Sequence, residues 1–118
     1  MVKIEQIAAA ILRDDSLTTR ALVQDFLRDQ LVLAEIVQPG TDDPVLLAIT
    51  ASLLELFALR TQQPAPDWTR QIGPVEPPLY LLSSATHMRC LRDLCRDAAP
   101  EPLRRRHLYA PPDYLAFA

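Results

Sequence analysis

The chain has 118 residues, of which 49% are apolar and 23% charged, with a formal net charge of −3. That size and balance describe one domain able to bury its own core, 1–118, and exclude a disordered chain, which lacks the apolar surface to offset ordering entropy. The acidic balance disfavours generic nucleic-acid or membrane-surface binding, and a chain with only 2 Gly but 11 Pro is poor in tight β-hairpins.

Taken in chain order, the first element is a helix over residues 3–13. Ile4, Ile7, Ala8, Ile11 and Leu12 form one apolar stripe, with Lys3, Glu5, Gln6 and Arg13 opposite. Asp14, Asp15 and Ser16 break the pattern and offer N-caps, with Thr18 a further cap candidate. Residues 17–30 repeat it, with Leu22, Val23, Phe26 and Leu27 on one face. The apolar run Leu31 to Val37 reads as a short buried helix or an extension of the second, ended by Pro39-Gly40.

The clearest helix is 43–61. Asp43 suits the N-cap, and Pro44 suits the first helical position, where its missing N–H costs nothing. Val45 to Leu59 is apolar almost all round, as a helix buried at the middle of a core is. Residues 62–83 carry five prolines among Trp68, Ile72, Val75, Leu79, Tyr80, Leu81 and Leu82, which predicts an extended segment packed over the helices with Trp68 as its anchor. Helix resumes over 84–97, capped by Ser83 or Ser84, then from Pro100 to about His107. Leu108-Tyr109-Ala110 reads as extended, and Asp113-Tyr114-Leu115 as a last helical turn. The expected fold is all-α, a bundle around 43–61.

Four constellations could carry chemistry. His87, Cys90, Cys95 and His107 are zinc-ligand types, but only His87 and Cys90 are closely spaced, whereas structural zinc uses two close pairs. No metal or cofactor is expected, and the thiols read as small hydrophobes. A Cys90–His87 nucleophile lacks the glycine-containing turn an oxyanion site needs, and the carboxylates show no paired spacing, so no enzyme is expected. The two isolated glycines cannot build a phosphate loop. Helices 4–13 and 17–29 could open a helix-turn-helix, but the next segment is apolar where a recognition helix offers polar and basic groups.

The fourth is arginine. Residues 1–63 hold 5 basic and 9 acidic side chains, whereas 84–118 hold 6 arginines and 4 acids. Arg89, Arg92, Arg96, Arg104, Arg105 and Arg106 are either a solvated face paired with Asp93, Asp97 and Glu101, or a docking surface for an acidic partner. A partner protein is the expected ligand, ahead of nucleic acid, and a homodimer is compatible with the same features. No apolar run reaches the roughly 18–20 residues of a membrane span. No signal-peptide pattern follows Met1, so the two cysteines read as reduced thiols and the expected compartment is the cytoplasm.

Pro66-Asp67-Trp68, Glu76-Pro77, Ala99-Pro100, Arg105-Arg106, Leu108-Tyr109-Ala110 and Asp113-Tyr114-Leu115 give residues 42–118 a further aspect. They resemble a module of small uncharacterised bacterial proteins encoded beside nucleotidyltransferase-like toxins. In that group a helix-turn-helix often precedes the module. The resemblance implies an antitoxin or regulator whose partner is the product of an adjacent gene.

Overall fold

The expected helices over 3–13 and 17–30 are met by α1 (Ile4–Leu12) and α2 (Ser16–Asp29) in the computed structural model, which describes residues 2–29 and 32–116. Gln6 accepts the Lys3 N–H at 2.8 Å and closes the start of α1. Between the helices Asp14 turns left-handed at φ 57°. Of the cap candidates, Asp15 takes the role, its carboxylate accepting the Thr18 N–H at 3.1 Å. Leu31 lies outside the described residues; beyond it only a single 3-10 turn, Leu33–Glu35, is present.

The third helix, α3 (Pro44–Thr61), starts as the sequence dictates. Asp43 accepts from Val45 N at 3.0 Å and Leu46 N at 3.4 Å, with Pro44 in the first turn. It ends at Gln62 in the left-handed region, φ 57°. Its length and apolarity suit a membrane span, yet 10 of its 18 residues are buried by the rest of the chain. α1, α5 (Glu101–Arg104) and a 3-10 turn at Asp67–Gln71 pack on it. Phe26 of α2 meets Phe57 of α3 with ring centroids 6.0 Å apart.

The proline-rich stretch is not uniformly extended. Its 3-10 turn Asp67–Gln71 lets the Trp68 indole donate to the Ile36 carbonyl at 2.8 Å. Further on, β1 (Leu79–Tyr80) pairs in parallel with β2 (Leu108–Tyr109), with Leu79 opposite Leu108 and Tyr80 opposite Tyr109. This small sheet is an addition to an otherwise helical chain. Prolines explain its form: Pro77 and Pro78 have no N–H to give, so Val75, Leu79 and Leu81 donate instead, to the carbonyls of Arg106, His107 and Tyr109 at 2.9–3.0 Å.

The expected 84–97 helix is divided. Ser83–Thr86 form a 3-10 turn, in which the Thr86 hydroxyl bonds the Ser83 carbonyl at 2.7 Å, and α4 runs only over Arg89–Ala98. Serine and threonine side chains that bond local backbone compete with regular helix in this way. Residues 111–115 form a turn closed by Tyr114 N–H on Pro111 O at 3.0 Å rather than a helical turn.

Candidate interaction surface

The six arginines do not form one surface. On α4, Arg89, Arg92 and Arg96 share a face, spaced three and four residues apart. Only Cys95 of the ten α4 residues is buried, so this helix is displayed more than it is packed. Arg96 is neutralised locally by Asp97 at 3.0 Å and Asp93 at 3.4 Å. The hydrogen bond from Arg96 holds the Asp97 carboxyl below its usual range. Arg89 and Arg92 are exposed, and neither has an ion pair among the described residues. Met88, which precedes Arg89, is 57% exposed, and Leu94, 46% exposed, lies across the helix from the arginines. Arg104 joins this end of the molecule by donating to the Asp97 carbonyl at 3.2 Å, where a cation suits the helix C-terminus.

Arg105 and Arg106 turn the other way, toward α3. Arg105 is half-exposed and pairs with Glu55, with Glu101 at 3.6 Å. Arg106 is 1% exposed and must be removed from the surface set. Its Nε donates to Ile72 O at 3.0 Å, and its Nη2 to Thr69 O at 2.6 Å. Its Nη1 reaches Glu55 at 2.5 Å, Pro102 O at 3.1 Å and Ser52 Oγ at 3.4 Å. Glu55 also accepts the Thr69 hydroxyl at 3.1 Å. Burial alone would raise the Glu55 carboxyl, but hydrogen bonds and charge from Arg106, aided by Thr69 and Arg105, outweigh it and hold the group ionised below the ordinary carboxylate range. One guanidinium thus ties α3, the 67–71 turn and α5 together. The sequence reading missed this node, although a lone glutamate inside an almost wholly apolar helix was the signal that a cation must meet it.

The metal-ligand types scatter. Cys90 is exposed and Cys95 buried, both as free thiols, and burial pushes the Cys95 thiol up. His87 is exposed, while the His107 ring lies 3.2 Å from both Glu76 and the Val75 carbonyl. Among the described residues no group of three or more His, Cys, Asp or Glu is placed to hold a metal ion.

Compared with known proteins, the chain matches no protein family, no curated protein and no solved structure.

Proposed function

We propose that the chain is a non-enzymatic interaction protein of the cytoplasm, antitoxin-like, that binds and restrains or adapts a partner protein through the arginine face of α4. In this reading the buried 44–61 helix and the proline-rich segment over it are a scaffold that presents that face. The carrying observation is that Arg89 and Arg92 are exposed and have no ion-pair partner among the described residues, with exposed Met88 preceding them at the start of α4. Arginine and methionine are enriched where proteins meet, and an unpaired fork suits an acidic partner. The resemblance of residues 42–118 to bacterial modules encoded beside nucleotidyltransferase-like toxins names the first partner to try, the product of the adjacent gene.

Co-expression of the two, with one tagged, is the test. A stable complex that Arg89→Glu/Arg92→Glu weakens at least about tenfold is expected. Failure to co-purify, with no relief of any growth defect caused by the neighbour, refutes it. A second reading, regulation of its own DNA, is favoured by the three-residue connection between α1 and α2 at residues 13–15. It predicts affinity for upstream DNA that falls steeply with salt.

A further inference from the structure

The arginine stripe of α4 continues onto the small sheet. Side chains alternate across a strand, so Leu79 and Leu108, in register, turn to the core, while Tyr80 and Tyr109 turn away from it. The two tyrosines are half-buried, and their rings lie with centroids 5.3 Å apart, tilted by 48°. The Ser83–Thr86 turn packs on both β1 and α4. The Arg96 guanidinium is pushed up first by the Asp97 hydrogen bond, then by the charges of Asp97 and Asp93, and last by Tyr80, which sets that phenol within electrostatic reach of the stripe. Around the stripe, Arg89, Arg92, Arg96 and Arg104 stand against Asp93 and Asp97. Glu76, at the His107 ring beyond the tyrosines, still leaves the cations in excess, and Glu101 is turned to Arg105.

We propose that the partner segment docking here is an acidic stretch with an aromatic or long aliphatic side chain about three residues away: its carboxylates meet Arg89 and Arg92, and its apolar side chain covers the Tyr80–Tyr109 pair. The spacing follows from the stripe. Arg89 and Arg96 are seven residues apart, about 10 Å along a helix, and an extended chain at about 3.3 Å per residue crosses that in about three. Charge selects the carboxylates, since Arg89 and Arg92 have no ion pair among the described residues. Tyrosine and arginine side by side are the residue types that carry most of the binding energy where proteins meet. The two rings lean on each other at a tilt rather than standing apart as platforms, which favours one side chain laid across both over the successive bases of a single-stranded nucleic acid. The inference rests on α4 being the docking face and adds the chemistry of the segment that docks.

Fluorescence anisotropy on the full chain tests it with the labelled peptide Phe-Ser-Ser-Asp-Asp-Ser-Ser-Phe, whose symmetric order serves either chain direction. This peptide binds; one with Ser for both Phe and one with Lys for both Asp each bind at least about tenfold more weakly. Arg89→Gln/Arg92→Gln and Tyr80→Ala each weaken the first peptide severalfold, whereas Arg28→Gln, on α2, leaves it unchanged. If Tyr80→Ala fails to fold, the Ser-for-Phe peptide reads the same contact on the parent chain. No binding of the first peptide up to about 1 mM, equal binding of the Phe and Ser peptides, or tighter binding of an oligothymidylate that the arginine variant abolishes overturns the proposal. Equal binding of the Phe and Ser peptides with the arginine variant still damaging removes the tyrosine contact alone. Indifference to both the Lys exchange and the arginine variant removes the reading of α4 as well.

Discussion

Replacing Arg106 by methionine keeps most of the side-chain volume and removes the guanidinium from a site that is 1% exposed. The carbonyls of Thr69, Ile72 and Pro102 lose a donor, and Glu55 is left with Thr69 and the half-exposed Arg105. Removing one partner of a buried pair costs about 3–5 kcal/mol, because the other charge stays buried. That is a large part of the roughly 5–15 kcal/mol that holds a domain folded. Arg105→Met should cost at most about 1 kcal/mol, since its side chain is 49% exposed. Arg106→Met combined with Glu55→Met should recover about 1–3 kcal/mol of the loss, because the orphaned carboxylate goes with its partner. Urea denaturation followed by far-UV circular dichroism reads all three. An Arg106→Met protein within about 1 kcal/mol of the parent, or an Arg105→Met protein equally damaged, would refute this account of the node.

Asp43→Ala removes the acceptor for Val45 and Leu46 at the start of α3 and should lower stability by about 1 kcal/mol in the same denaturation assay. Glu55 makes stability depend on pH: its folded carboxyl lies below its ordinary value, so its contribution is complete above the unfolded value and is lost as pH falls through the folded one. The loss of stability on acidification should therefore be shallower in Glu55→Gln, although that variant starts less stable; an unchanged slope counts against the assignment. A thiol reagent should label exposed Cys90 in the native protein and reach buried Cys95 only when the chain opens. Fast labelling of both would show that α4 is not seated as described.

Local rules were enough where one residue has one job. Asp43-Pro44 marked the start of α3, and the 4, 7, 8, 11 spacing marked α1, because a cap and an amphipathic stripe are written in a few adjacent positions. They were not enough where partners lie far apart in the chain. Arg106 meets Glu55 and Ser52, 51 and 54 residues away, and no periodicity encodes that. The same holds for β1 and β2, two residues each: proline spacing said which amides were missing, but not which distant carbonyls the remaining ones would find.

The arginines show why composition misleads about surfaces. Arg104, Arg105 and Arg106 are the densest basic run in the chain, yet consecutive residues on a helical turn point roughly 100° apart. They cannot all serve one face, and here they divide among a helix terminus, a half-exposed pair and the core. A triple alanine variant of that run would lose function by unfolding and would be mistaken for a contact mutant. The sparser set on α4 is the better test of docking, because a spacing of three and four puts Arg89, Arg92 and Arg96 on one side. Within it Arg96 is already answered by Asp93 and Asp97, which leaves Arg89 and Arg92 as the two substitutions that separate recognition from folding.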